Sequence, residues 1–462
     1  MYVDISTKHI VSIPNAKEKS KLSVEFSTDS LCVIWYAVIN NSLKGIDQMK
    51  KMTAWFMALL MGLALFTSSA SAESGQPGRG KNRAPIVFVH GLGGWGEGTK
   101  LNDLFPHWGM TAGDVKAYLN GQGYEAYAAS VSPVASAWDR ACELYAHLSG
   151  TRTDYGEAHA KIHGHARYGP SYEKLGPDWP GESIHLIGHS FGGATIRLFA
   201  QLCAGGSAEE RAASPANELS PLFRGTLGGS VVSVTTLAAP HNGTTALLEP
   251  VKGVGVGLIE AALYSMAALD ALVPGFGAYY PVHLQQFGVD SGATLAELAQ
   301  NFAAFDQSAD SARHDLSVDG ARAVNQGIRC QPDIYYFSYA ADMTRKAQRG
   351  RAPKRSISIM LLEPSLRMGE KREPYATPGG ATIDNRWLPN DGLVNTISAL
   401  HPFHEPHRAY DADNVEPGVW QVMPVVTDWD HIDFGGGLRF GGAAGVMEFY
   451  LALAGMLEGL PK

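Results

Sequence analysis

The run Ser183-Ile184-His185-Leu186-Ile187-Gly188-His189-Ser190-Phe191-Gly192-Gly193 puts a serine at the tip of a glycine-flanked turn. The apolar residues before it read as a short buried strand, and Ala194 to Cys203 as a helix. G-x-S-x-G in that setting is a nucleophile elbow. Gly188 and Gly192 permit a turn too sharp for side chains, and Gly193 lets the helix pack close behind. The turn lifts the Ser190 hydroxyl out of the backbone path. It also aims the Phe191 N–H at the place where an oxyanion would form. The chemistry served by this arrangement is acyl transfer on an ester.

Such a serine needs a second oxyanion donor, a general base and an acid. Ile86-Val87-Phe88-Val89 is a continuous apolar run, the pattern of a strand buried on both faces, and it ends in His90-Gly91-Leu92-Gly93-Gly94-Trp95-Gly96. Leu92 is the expected source of the second N–H. The order Ser, then acid, then His points downstream. Asp391 lies in the turn Asn390-Asp391-Gly392, and His431 follows the strand-like run Val419 to Val426, which Pro424 interrupts. On order alone His401, His404 and His407 compete with His431. An Asp-Gly pair also favours turns whatever its function, so Asp391 is equally readable as a turn aspartate.

These residues require a scaffold of alternating strands and helices. Residues 84–135 read strand, loop, helix (Asp114 to Gly121), strand (Tyr124 to Val131), and Val231 to Leu237 supplies a further strand. Residues 136–182, rich in His, Tyr and Gly, interrupt the alternation. The histidines His159, His163 and His165 read either as solvated groups or as metal ligands. Leu247 to Leu272 carries Ile259, Leu263, Met266 and Leu269 at helical spacing, which fits either a core helix or a lid over the serine.

The 462-residue chain has a net charge of −8 and no basic cluster interleaved with aromatics, which argues against nucleic acid as a partner. Met49-Lys50-Lys51, the apolar run Trp55 to Phe66 and Ala70-Ser71-Ala72 resemble a secretory signal peptide. Residues 49–72 are therefore expected to be removed, with 1–48 an upstream extension outside the mature protein. The alternative is a genuine extension with Trp55–Phe66 as an uncleaved anchor. Cleavage after Ala72 leaves Cys142, Cys203 and Cys330, widely separated and read as buried small hydrophobes rather than bridges.

Several blocks together carry a family resemblance. Trp138-Asp139-Arg140-Ala141-Cys142-Glu143, Asp154-Tyr155-Gly156, His163-Gly164-His165-Ala166-Arg167, Ser220-Pro221-Leu222-Phe223, Asp315-Leu316-Ser317-Val318 and Asn390-Asp391-Gly392 resemble the thermoalkalophilic Bacillus-type lipases. Ile397-Ser398-Ala399-Leu400-His401-Pro402 and Gly188-His189-Ser190 are closer to the related staphylococcal lipases. The resemblance spans nearly all of 84–460. It implies a secreted triacylglycerol lipase acting at a lipid–water interface, with no stable membrane span in its mature form. The implied fold is α/β: an α/β-hydrolase with a mainly parallel central sheet, a helical lid (about 245–290) and a zinc-binding insertion (about 136–182) within one domain, 73–462. It puts Ser190, Asp391 and His431 on the triad and Leu92 and Phe191 on the oxyanion hole. A structural Zn²⁺ falls on Asp139, His159, His165 and Asp310, with His163 no ligand and Asp315 the nearest competitor for the last position. Asp433 stands at the first position of the family's Ca²⁺ site, but Phe434 to Arg439 lacks the carboxylates that should follow. Phe191 replaces a polar residue of the Bacillus-type members. A carboxylesterase for short soluble esters shares every one of these catalytic positions. A non-catalytic lipid-binding protein is the alternative from another class.

Overall fold

The computed structural model describes residues 81–249, 251–290, 292–438 and 442–461. It also describes an antiparallel strand pair, His9–Pro14 with Lys21–Phe26, in a separate N-terminal unit that ends at Ser68. The expected signal segment 49–72 and Cys32 lie outside the described residues.

Seven strands form one sheet: β1 (Ile86–Val89), β2 (Ala126–Ala129), β3 (Ile184–His189), β4 (Val231–Leu237), β5 (Tyr335–Tyr339), β6 (His407–Ala409) and β7 (Trp420–Val422). Their order is β6-β7-β5-β4-β3-β1-β2, and every neighbouring pair is parallel. β7 stops at Val422, before Pro424, whose missing N–H could not extend the ladder. The helices used below are α1 (Val115–Gly121), α2 (Ala137–Ser149), α3 (Glu157–His163), α4 (Gly192–Gly205), α5 (Val254–Leu272), α6 (Leu362–Gly369) and α7 (Val446–Glu458).

A parallel sheet must be covered on both faces, and the alternating side chains of its strands divide accordingly. Val87, Val89, Ile184, Leu186 and Val234 pack with α2 and α4. Ile86, Phe88 and Ile187 pack on the other side with α1 and α7. Each such side chain, fully buried, contributes about 2 kcal/mol. Of residues 136–182, the first third is thus a core helix, α2. Ser136 caps its start by accepting the Asp139 N–H at 3.1 Å, and Gly150, at φ 67°, ends it. The remainder carries a short hairpin, Arg152–Asp154 with Tyr168–Ser171, and α3.

The apolar stripe after Leu247 is realised as α5, nineteen residues long and apolar enough, by length and composition, to cross a membrane. Here its Ala267 and Ala271 are buried with Val134, Tyr280 and Val282. Leu263 Cδ2 stands 2.9 Å from the point where a Cβ on Gly93 would lie, so the helix rests on the loop after β1. Cys142, Cys203 and Cys330 are all free thiols, the first two buried.

Candidate functional site

β1 and β3 are neighbours, with Val89 opposite Gly188, so the loops leaving their C-terminal ends lie side by side. In an open α/β sheet this is where ligands bind. At the tip of the second loop Ser190 has φ 55°, a left-handed conformation that a non-glycine residue adopts at a cost of about 1–3 kcal/mol. The surroundings hold it there. Ser190 N–H donates to the Leu237 carbonyl at 2.8 Å, and Gly193 N–H to the Ser190 carbonyl at 3.0 Å. The glycines are spatially obligatory. A Cβ on Gly192 would lie 2.1 Å from the Val89 oxygen, and one on Gly193 2.4 Å from Ala239 Cβ. A Cβ on Gly91 would come within 2.7 Å of Ser190 Cβ.

Three side chains form a chain of hydrogen bonds. Ser190 Oγ–H donates to His431 Nε2 at 2.9 Å, and His431 Nδ1–H donates to Asp391 Oδ2 at 2.9 Å. The other Asp391 oxygen accepts the N–H groups of Leu393 and Val394, at 3.0 and 2.8 Å. The two loops also meet directly, His431 N–H to Asp391 carbonyl at 3.0 Å. All three residues are buried. Among the described residues, neither the Leu92 nor the Phe191 N–H donates to a protein acceptor. His401 and His407 instead stack on each other, 3.4 Å between ring centroids, and take no part.

Four of the expected metal positions also converge. Asp139, His159, His165 and Asp310 each offer a ligand atom within 4.8 Å of the others, the one such cluster of three or more ligating side chains among the described residues. His159 Nε2 lies 3.3 Å from Asp139 Oδ1 and 3.2 Å from Asp310 Oδ1, and His165 Nε2 lies 3.0 Å from Asp310 Oδ2. Bonds of about 2.0–2.1 Å to a tetrahedral ion imply donor separations of about 3.3 Å, which these three contacts approach. Burial, and then the Asp310 charge, push the Asp139 carboxyl up, an imbalance that a cation would relieve. His165 Nδ1–H donates to the Ala166 carbonyl at 2.9 Å, which leaves Nε2 as the ring nitrogen turned to Asp310 and to an ion. Gln286, which the sequence did not single out, donates to Asp139 Oδ2 at 2.9 Å. His163 and Asp315 lie outside the cluster; Asp315 accepts the Ala137 N–H at the start of α2. Asp433 is also outside it, and its Oδ2 accepts the Asp430 N–H at 2.8 Å.

Two further buried residues link these places. Arg140, fully buried, donates to the carbonyls of His90 and Ser132 and to Thr195 Oγ1, and its guanidinium stands 5.0 Å from the Phe191 ring centroid. It therefore braces the loop after β1 and the turn that carries Ser190 from behind. Glu143, one turn along α2, accepts the Ser132 N–H at 2.5 Å and the Tyr155 hydroxyl at 2.8 Å.

Burial pushes the Glu143 carboxyl up to about 8, from an ordinary 4.5. The folded state thus holds this proton more tightly than the unfolded chain does. The resulting stability is complete below the unfolded value and is lost as pH rises through 8. Relative to wild type, Glu143→Gln is expected to gain on the order of 4 kcal/mol between about pH 5 and pH 9, read from paired denaturation curves.

With this geometry in view, known proteins supply the context. A family model described as "Lipase-like, C-terminal domain" matches residues 82–440. A lipase of Staphylococcus epidermidis is 37% identical over 366 residues, covering 77% of this chain and 50% of the relative. The chain thus spans about half the length of the curated relatives it matches. The Staphylococcus hyicus lipase structure aligns with a TM-score of 0.72 at 34% identity, over 83% of this chain and 97% of that one. Lipase 1 from Pelosinus fermentans aligns at 0.66 and 35%, over 82% and 100%. The parallel sheet, the serine turn and this breadth of match agree: the chain belongs to the lipase-like family, to which staphylococcal lipases are its relatives.

Proposed function

We infer that this chain is a serine ester hydrolase whose substrates are triacylglycerols presented at a lipid–water interface. The observation that carries the reading is the unbroken contact from Ser190 through His431 to Asp391, each step 2.9 Å. His431 takes the Ser190 proton as Oγ attacks the ester carbonyl. The tetrahedral oxyanion accepts the Leu92 and Phe191 N–H groups. The proton then passes from His431 Nε2 to the leaving alcohol, and water repeats the cycle on the acyl-enzyme. Asp391 fixes the His431 tautomer and stabilises its imidazolium.

A lipase is favoured over an esterase by α5, whose Leu263 lies on the loop that supplies one oxyanion donor. Opening of that helix would uncover the serine at a lipid surface. Asp139, His159, His165 and Asp310 hold a structural zinc in this reading. Four protein ligands leave no open position for a reacting water, so the ion's contribution is rigidity. The segment Met49–Ala72 supports secretion.

The test compares emulsified long-chain triacylglycerol with a soluble short-chain ester. Turnover of the emulsion, rising where the substrate passes its solubility limit, is the expected result. Activity confined to the soluble ester would make the protein a carboxylesterase. No activity together with no fluorophosphonate labelling of Ser190 would leave the lipid-binding alternative.

A further inference from the structure

Charge is distributed very unevenly along this chain. Residues 345–372 hold nine Lys or Arg against two Glu, a local net charge of +7 in a chain of net −8. The segment contains the hairpin Thr344–Ala347 with Gly350–Pro353, then a single turn, Ile359–Leu361, that runs into α6. Arg345, Lys346, Arg349, Arg355 and Lys371 are exposed and form no ion pair with a described residue. The hairpin and the end of α6 are one surface. Gly350 bridges to Glu370, and Lys371 N–H donates to the Arg349 carbonyl at 3.2 Å.

Large apolar side chains stand among these cations. Ile359 is 90% exposed, Leu362 47% and Leu366 52%, with Met360 beside them at 46%. The spacing of 359, 362 and 366 puts them on one helical face, while Leu361, Pro364, Ser365 and Met368 turn inward. An exposed apolar cluster of this kind marks an interaction surface. Cations around aliphatic side chains fit a surface that offers anionic headgroups above and hydrocarbon below. Nucleic acid is the poorer match, because the cluster has no aromatic ring for bases to stack on.

The surface is rooted in the candidate site. Ser358 donates its N–H and hydroxyl to Asp430 Oδ2, at 2.8 and 2.6 Å, next to His431. A Cβ on Gly392, beside Asp391, would stand 2.8 Å from Leu361 Cβ. Arg367 donates to the Val251 carbonyl at 2.7 Å, and Glu363 accepts the Gly255 N–H at 3.2 Å, in the first turn of α5. We propose that residues 345–372 form a docking platform for an anionic lipid surface, which presents the mouth beside α5 to lipid. Its purpose rests on the ester-hydrolase reading above; its binding does not.

The test is sedimentation of the purified protein with vesicles of ether-linked lipids, which contain no ester to hydrolyse. One set is phosphatidylcholine and the other contains about a third phosphatidylglycerol. Binding to the anionic set is expected to be at least about tenfold tighter and to weaken as salt is added to the wild type. The triple variant Arg345→Glu, Lys346→Glu, Arg349→Glu should bind both sets alike. Ile359→Ser with Leu366→Ser should weaken anionic binding about tenfold, and both variants should keep wild-type activity on a soluble ester. Equal binding of the wild type to both sets at every salt concentration overturns the proposal. So does single-stranded DNA bound as tightly as the anionic vesicles and unaffected by the serine pair. If the soluble ester is not hydrolysed even by wild type while anionic binding holds, the hydrolase reading fails and the platform stands.

Discussion

Ser190→Ala is expected to lower kcat for ester hydrolysis by roughly 10⁴- to 10⁶-fold with KM little changed. In the proposed mechanism the alcohol that becomes the acyl carrier is gone, while the Leu92 and Phe191 N–H groups remain to polarise the carbonyl. The residual rate should therefore still exceed that of water. Stability is the internal control. Alanine at φ 55° meets the same backbone strain as serine, so Tm should stay within a few degrees. Ser190→Gly would relieve that strain and melt higher while being equally inactive. The measurement is initial rate on a soluble chromogenic ester beside a thermal melt. Retention of a tenth or more of the wild-type rate would remove Ser190 from the mechanism.

If the proposed zinc occupies this cluster, its removal is expected to have the second largest effect, on stability. The four candidate ligand atoms, all within 4.8 Å of one another, bring α2, α3, the chain just after α3 and the segment at Asp310 to one point. Without a cation, two buried carboxylates face each other with only imidazole protons between them. Structural zinc contributes many kcal/mol in small domains, and a fraction of that here would lower Tm by roughly 5–10 °C after chelation. His159→Ala should reproduce the loss and no longer respond to chelator. Elemental analysis of dialysed protein should find one zinc per chain in the wild type and a small fraction of that in the variant. Unchanged metal content in His159→Ala would remove that residue from the site.

What was legible in the sequence was what is local. The serine turn is written in eleven consecutive residues, because the glycines needed for close approach must sit beside the serine. The expectation for Leu92 rests on a strand and its loop in the same way. Asp391 and His431 lie 201 and 241 residues beyond Ser190, and only chain order and resemblance selected them over His401, His404 and His407. The ligand set was likewise carried by resemblance, since Asp310 has no neighbour in sequence to announce it. Arg140, Glu143, Gln286 and Asp430 were missed as supports. Their partners are set by tertiary packing: Arg140 reaches a carbonyl fifty residues away, and Gln286 a carboxylate 147 away. The cationic segment was missed for another reason: an overall charge of −8 conceals a local +7.

Asp139 and Arg140 are consecutive in the first turn of α2, one aimed at the candidate metal cluster and the other at the loops around Ser190. An inserted residue in the turn at Gly150–Thr151, after α2, falls outside the cluster and can be taken up by that connection. One inserted between Ser136 and Asp139 would rotate this turn by about 100° and misdirect both side chains together. For anyone recombining such chains, the first turn of α2 is the segment at which register has to be inherited whole.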